Sequence, residues 1–523
     1  MNIAAILSRS ASLYGAAVAV AHGRDAHLTF DGLLDQVCRI AGGLRRMGLR
    51  KGDRVAFFMT NDPHYIALKF AVWWMGAVAV PINAKLHRKE VAHILADCGA
   101  IVVIVNRDTE AVLAQLQTEV TSLRRIIAVG SQEHNALSTG PASLSMEPSL
   151  ADDLAWLFYT SGTTGVPKGA MISHGNLYSM ARSYPSDVDS IAPQAALVHL
   201  APMSHGSGLY TLPFLAMGGI SVVPPSGSFD EAEFFDLLSY WQEVSAFVAP
   251  TMMRRLTDHA IAHQADTSHL RCMIYGGGPL YLADLQKAAD HFGPVFAQIY
   301  GQGECPMSIT SMSRQRFTAA LAARDEQCLQ SVGVPFLGTE LQIRGADGSA
   351  LDDGETGEIC VRSSACFLGY WHNEAGTHAA LQDGWLLTGD LGTIDAAGHL
   401  HLAGRSKETI ISAGTNIYPV EIENVLLQHP AVIEAAVLGL PDPEWGECVA
   451  AFVVVGKEAP DLEAQLDGLC LANIARFKRP RCYYRRHSLP KNAYGKVLKR
   501  ELLQELSEAA KAEAAGTRDA SAE

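Results

Sequence analysis

The stretch from Tyr159 to Met171 reads "YTSGTTGVPKGAM" and crowds hydroxyls and glycines in front of one lysine. Gly162, Gly165 and Gly169 let backbone N–H groups approach an anion closely, because no Cβ stands in the way. Thr160, Ser161, Thr163 and Thr164 add rotatable hydroxyl donors, and Lys168 adds charge. The chemistry on offer is phosphate binding. A P-loop requires GK[ST] opening a helix so that the hydroxyl meets the metal. Here Pro167 precedes the lysine and Gly169 follows it. On composition alone, a mobile anion loop and a flexible surface turn stand even.

Such a loop needs a scaffold. The 523 residues exceed one core and imply two to four domains or subdomains. Apolar residues make up 48% and charged residues 18%, a globular composition. The net charge of −14 carries no basic footprint, which sets polynucleotide binding aside. Ten cysteines without a CxxC pair suggest neither a zinc site nor a disulfide framework, and free thiols point to a reducing compartment. No signal-peptide pattern opens the chain, and the most apolar segment, 66–81, is too short to span a bilayer and carries Lys69. It reads as a buried helix leading to a strand. A soluble, cytoplasmic protein is expected.

Thr29 reads as an N-cap, followed by Leu33, Leu34, Val37, Ala41, Leu44 and Met47 at helical spacing. Strand candidates "RVAFFM" (54–59), "IVVIV" (101–105), "RIIAVG" (125–130), "AALVHL" (195–200), "GISVVP" (219–224), "VSAFVAP" (244–250) and "CMIYGGG" (272–278) alternate with helical stretches. That pattern predicts doubly wound parallel α/β sheets with ligands at the carboxyl ends of strands. Past about residue 330, Asp347-Gly348 and Asp353-Gly354 predict antiparallel hairpins. From Arg405 a smaller α/β unit follows, and the last residues are polar and alanine-rich.

The loop has companions in a fixed order: "YGGGPL" (275–280), "YGQGE" (300–304), "GEICVR" (357–362), "WLLTGD" (385–390), "GRSKETIISAGTNIYPVEIE" (404–423) and "LPKNAYGK" (489–496). Together they resemble the adenylate-forming superfamily of acyl-CoA synthetases, adenylation domains and luciferases, from about Thr29 to Leu503. The resemblance is strongest to bacterial acid–CoA ligases of the fatty-acid or aromatic-acid type. It implies two αβαβα-like subdomains plus a β-barrel-like hairpin subdomain (about 330–403) within a large N-terminal domain (1–403). A small mobile α+β lid (404–523) would follow, with its hinge at Lys407 and a frayed tail at about 507–523.

The resemblance also implies roles. Nucleotide binding falls to Thr160, Ser161, Gly162, Thr163, Thr164, Gly165, Lys168, Gly276, Gly277, Gly278, Pro279, Tyr300, Gly301, Gln302, Gly303, Glu304, Asp390, Arg405 and Lys496. Tyr300 would offer a ring to adenine, Asp390 would accept the ribose hydroxyls, and Glu304 would ligate Mg²⁺. Catalysis is implied for Lys496, Glu304, Thr164, Lys168 and His205. The acyl pocket is implied at His205, Ser207, Gly208, Thr211, Gly277 and Met307, and a coenzyme A contact at Gly414.

Two positions depart from the pattern. Gly303 stands where the family has Thr or Ser, and Ile411 and Ala413 stand where luciferases and plant-type ligases carry lysines. The implied reaction activates a carboxylate with ATP and Mg²⁺, expels pyrophosphate, and passes the acyl group to coenzyme A with release of AMP. The acid is expected to be a medium-sized monocarboxylate, either aromatic (benzoate- or hydroxycinnamate-like) or fatty. Alternatives are a stand-alone adenylation enzyme loading a carrier protein and a non-catalytic nucleotide-binding protein. A homodimer is among the expected assemblies.

Overall fold

The computed structural model describes residues 1–114, 116, 119–160, 167–278, 280, 282–412, 415–442, 445–457, 459–491 and 497–506. The chain divides into two units. The first holds Met1–Gln342, Cys360–Thr388 and Ala397–Leu400. The second holds Ile343–Ile359, Gly389–Ala396 and the chain from His401 onward. The tail expected to fray, 507–523, lies outside the described residues.

Two sheets dominate the first unit. One has six strands in the order Arg125–Ala128, Val102–Val105, Arg54–Met59, Val78–Asn83, Leu154–Thr160 and Lys168–Ser173. All its pairs are parallel except the last. The other has nine strands and is parallel from Phe296–Tyr300 through Leu270–Tyr275, Val244–Val248, Ala196–Val198 and Ile220–Val223 to Val18–His22. Its edges are antiparallel: Thr310–Met312 and Val334–Pro335 close one side, and Asp25–Thr29 the other. The short apolar runs form strands because helices cover the faces of parallel sheets. The helix Phe30–Arg46 shows the local logic. Thr29 accepts from the Gly32 N–H at 3.1 Å, Leu33, Val37, Ala41 and Leu44 are buried, and Arg45 and Arg46 occupy the negative end of the dipole.

The turns expected to meet ligands follow the ends of strands. Thr160 closes one strand and Lys168 opens the next, and the two are direct antiparallel partners. The hydroxyl-rich loop therefore bridges a hairpin, not a strand and a helix. The "YGQGE" turn joins Phe296–Tyr300 to the antiparallel Thr310–Met312, with Met307 in the left-handed region at φ 58°.

In the second unit, Gly348 (φ 81°) turns the chain between Arg344 and Ala350, which are bridged antiparallel, and Gly354 (φ 89°) sits in a second turn, its N–H bonded to the Ile394 carbonyl at 2.9 Å. A five-stranded sheet follows around the central Gly446–Val455, with Val432–Asp442 antiparallel to it and Cys482–Arg486 parallel to it. Helices Pro419–Leu426 and Leu462–Asn473 bury Ile422, Leu426, Leu462 and Leu466 against it.

The helix His64–Trp74 is buried from Tyr65 to Trp74, Lys69 included. Among the described residues no helix is long and apolar enough to cross a membrane. Lys69 Nζ donates to the Gly208 carbonyl at 2.7 Å and lies 5.4–5.7 Å from the ring centres of Tyr65, Trp73 and Trp156. Burial pulls this ammonium down from its ordinary 10.5 to about 7. In the unfolded chain Lys69 stays protonated up to 10.5, so between about 7 and 10.5 the unfolded state binds the extra proton and stability rises with pH. The cost of burying the charge is fully present below this window. Lys69→Met is therefore expected to stabilise the protein relative to wild type at low pH. That advantage shrinks by on the order of 3–4 kcal/mol between about pH 6 and about pH 10. Denaturant melts across that range check it, and a pH-independent difference would refute it.

Candidate active site

The first unit gathers the phosphate-loop ends and the proposed metal carboxylate. Thr160 is the last residue of its strand, and Lys168 Nζ sits 5.3 Å from the centre of the Tyr370 ring. The Tyr370 hydroxyl donates to Glu304 Oε1 at 2.6 Å. The Phe367 N–H donates to the Glu304 carbonyl at 2.7 Å, and Phe367 and Tyr370 pack edge to face at 4.9 Å. Among the described residues no three His, Cys, Asp or Glu side chains converge as a metal cage. A single carboxylate nevertheless suits Mg²⁺, which keeps waters and takes phosphate oxygens as its other ligands.

Gly303 has a steric explanation. A Cβ there would meet Thr160 Cγ2 at 2.3 Å and Phe158 Cδ1 at 2.9 Å. The space a hydroxyl-bearing side chain would need is already taken by Thr160 and Phe158. Gly301 is equally hemmed in, since its Cβ would lie 2.5 Å from the Met307 nitrogen. Gln302 donates from its side chain to the Thr388 carbonyl at 3.0 Å. Tyr300 ends its strand only 8% exposed, leaving little of its ring open. Gly276 packs against the Ile299 carbonyl, 2.6 Å from where its Cβ would stand, and leaves no room on that side. Among the described residues, a Cβ on Gly277 (φ 81°) would meet nothing within 4 Å, and one on Gly278 only Pro250.

The acyl-pocket residues divide. His205 packs edge to face on Phe158 at 4.9 Å, and its Nδ1 lies 2.9 Å from Ser204 Oγ. Apolar surroundings pull the imidazole down to about 3, so it is neutral at working pH. A Cβ on Gly206 would meet Phe247 Cε1 at 3.0 Å and Met307 Sδ at 3.3 Å. His205, Gly206 and Met307 thus share one wall with Phe158 and Phe247. Ser207, Gly208 and Thr211 do not join it as space-makers. Ser207 Oγ is paired with Nδ1 of the buried His199 at 2.9 Å. Gly208 is small because a Cβ would fall 1.8 Å from the Met203 carbonyl, and Thr211 is fully buried. Their size serves the packing of the helix Gly206–Ala216.

The second unit brings Asp390 and Arg405 together, with Arg405 Nε 3.0 Å from Asp390 Oδ1. The preceding Gly389 N–H donates to Glu358 Oε1 at 3.0 Å. Lys407 lies in the single 3₁₀ turn Ser406–Glu408. Of the lysines near the last motif, Lys491 pairs with Glu434 at 2.6 Å and Lys499 with Glu423 at 2.8 Å, which commits both to structure. Lys491 and Val497 form an antiparallel bridge. Ser161, Gly162, Thr163, Thr164, Gly165, Pro279, Gly414 and Lys496 lie outside the described residues. Phe158, Phe247 and Tyr370 were missed by motif reading. Phe158 sits one residue before the opening Tyr159, and this adjacency was the available signal.

Because Gly303 accommodates Thr160, Gly303→Ser is expected to slow adenylation at least about tenfold, the scale of ~1–3 kcal/mol of overpacking. Thr160→Ser, which removes Cγ2, is expected to recover part of that loss in the double variant. Pyrophosphate exchange in the four-member cycle measures the coupling. Strict additivity would refute the steric account.

Comparison with known proteins identifies the family. Residues 7–371 match the family model "AMP-binding enzyme", and residues 421–496 match "AMP-binding enzyme C-terminal domain". A feruloyl-CoA synthase of Amycolatopsis sp is 36% identical over 94% of this chain and 97% of its own length. A long-chain-fatty-acid–CoA ligase of Mycobacterium tuberculosis is 31% identical over 92% of this chain and 94% of its own. The solved anthranilate CoA ligase AuaEII, in complex with anthranoyl-AMP, superposes with a TM-score of 0.87 at 26% identity, covering 97% of this chain and 98% of that one. The chain belongs to the AMP-binding enzyme family of adenylate-forming ligases.

Proposed function

We propose that this AMP-forming acid–CoA ligase activates an aromatic monocarboxylate of the benzoate or hydroxycinnamate kind. The observation that carries the choice is the wall around His205. A neutral imidazole, the Phe158 and Phe247 rings and the Met307 thioether surround the bare Gly206. Flat rings and a polarisable sulfur favour an aromatic guest by edge-to-face and sulfur–ring contacts. The feruloyl-CoA synthase among the relatives supports the same reading.

In the first half-reaction the acid's carboxylate attacks the α-phosphate of ATP and pyrophosphate leaves. Both reactants are anions, so the chain must set positive charge and N–H groups along their approach. Lys168 and the loop 161–166 serve the departing β- and γ-phosphates, and Lys496 bridges the acid and the α-phosphate. Mg²⁺ held at Glu304 would neutralise phosphate oxygens. His205 stays neutral and shapes the pocket without moving a proton. Asp390 accepts the ribose hydroxyls, with Arg405 beside it to orient the carboxylate. In the second half-reaction the coenzyme A thiol attacks the acyl-adenylate and AMP leaves, so no protein nucleophile is required. All ten cysteines are free, which supports a reducing, cytoplasmic setting.

The lid starting at 404 carries Lys496 for the first half-reaction and swings about Lys407 for the second. Gly404, at φ 137°, suits such a pivot because other residues avoid that conformation.

The protein incubated with ATP, Mg²⁺, coenzyme A and a panel of acids is expected to form AMP and pyrophosphate, fastest with benzoates or hydroxycinnamates. Preference for a long-chain fatty acid would overturn the substrate assignment, and ADP as product would overturn the mechanism. Lys407→Pro is expected to spare pyrophosphate exchange and abolish acyl-CoA formation. Lys496→Ala should abolish exchange yet still convert supplied acyl-AMP. Loss of both half-reactions in Lys407→Pro, with the fold intact, would remove the hinge.

A further inference from the structure

The segment 367–371 belongs to none of the motifs that name the site, yet it is hydrogen-bonded to two of them. Phe367 donates its N–H to the Glu304 carbonyl at 2.7 Å. Leu368 donates to the Met171 carbonyl at 2.8 Å, Met171 to Gly369 at 2.9 Å, and Trp371 to Gly169 at 2.8 Å. The segment thus runs as an extra strand along Lys168–Ser173, with Ala170 bridged antiparallel to Tyr370. Tyr370 itself is fixed from behind, its N–H held by Thr377 Oγ1 at 2.8 Å. From this platform its hydroxyl reaches Glu304 Oε1 at 2.6 Å, and its ring face lies 5.3 Å from Lys168 Nζ.

We propose that Tyr370 is a positioning residue for adenylation: its hydroxyl fixes the Glu304 carboxylate so that Oε2 is presented to Mg²⁺, while its ring holds the Lys168 ammonium toward the phosphates. This rests on the ligase reading and on Glu304 as the metal carboxylate. A carboxylate on a flexible stem has many rotamers, and a metal held by one protein oxygen gains most from having that oxygen pre-set. The tyrosine serves without competing, because it donates one hydrogen bond to one oxygen and leaves the other with its lone pairs. A cation over a ring face is likewise held without an anion that would repel the incoming phosphates.

Tyr370→Phe keeps the ring and deletes the donor. A hydrogen bond to a charged group is worth ~1.5–3 kcal/mol, so the Mg²⁺ concentration for half-maximal pyrophosphate exchange is expected to rise about tenfold or more. Mn²⁺ binding in the presence of ATP, read by the free-ion electron paramagnetic resonance signal, should weaken in parallel. Thioester formation from supplied acyl-AMP should stay near the wild-type rate. Tyr370→Leu, which also loses the ring, should raise the KM for ATP further than Tyr370→Phe does. In a Glu304→Gln background, Tyr370→Phe should have no further effect on Mn²⁺ binding. A full additional loss in that background would mean that the tyrosine acts through folding alone. Wild-type Mg²⁺ and Mn²⁺ titrations in Tyr370→Phe would overturn the proposal, as would equal loss of both half-reactions. Absence of pyrophosphate exchange in the wild type with every acid would instead overturn the ligase reading. The Mn²⁺·ATP titration would then still decide whether Tyr370 orients Glu304.

Discussion

The antiparallel pairing of Thr160 with Lys168 is the contact on which the first unit's chemistry turns. It holds the two ends of a hydroxyl-rich loop at one strand spacing. The strand that carries Lys168 is paired in turn with the segment 368–371, and Phe367, just before that segment, is bonded to Glu304. Three stretches distant from one another in sequence are thereby locked into one hydrogen-bonded ribbon. Backbone bonds fix the positions of Lys168, Tyr370 and Glu304 before any side chain takes part. Precise placement matters here because neutralising two approaching anions depends on groups whose reorganisation has already been paid for in folding.

Behind that ribbon, burial biases the basic groups toward their uncharged forms. His199 and His205 are both pulled to about 3, chiefly by burial, and Lys69 to about 7. His199 is bonded to Ser207, and Lys69 to the Gly208 carbonyl. The helix that carries His205 is thus anchored on its inner face by polar contacts, while its outer end presents a neutral ring. A charged imidazole at that wall would cost desolvation and would attract the carboxylate to the wrong end of the pocket.

Much of the architecture was legible from periodicity and punctuation. Thr29 capped its helix as read, the run at 54–59 and the part Val244–Val248 of the run at 244–250 became strands, and Asp347-Gly348 turned the chain between the bridged Arg344 and Ala350. These features depend on neighbours within a few residues. The place of Val18–His22 was not legible, because it joins Ile220–Val223 across two hundred residues. The candidate site divided along the same line. Motif order marked Lys168, Glu304, Asp390 and Arg405, of which the structure pairs Asp390 with Arg405, whereas small residues at 207, 208 and 211 suggested pocket space where the structure uses them for close packing. Smallness in a sequence does not say which neighbour requires it.

The sequence by itself determined a chemical inventory of hydroxyls, glycines, carboxylates and lysines in a fixed order, and the resemblance assigned these groups their expected roles at phosphate, metal and ribose. Residue type sets charge, donor count and backbone freedom, and these are local properties. Tertiary structure alone decided that Gly303 must be bare because Thr160 and Phe158 fill its place, that His205 is neutral, and that Tyr370 stands between Glu304 and Lys168. Those facts arise from excluded volume, desolvation and contact between segments distant in sequence, which exist only once the chain has closed on itself.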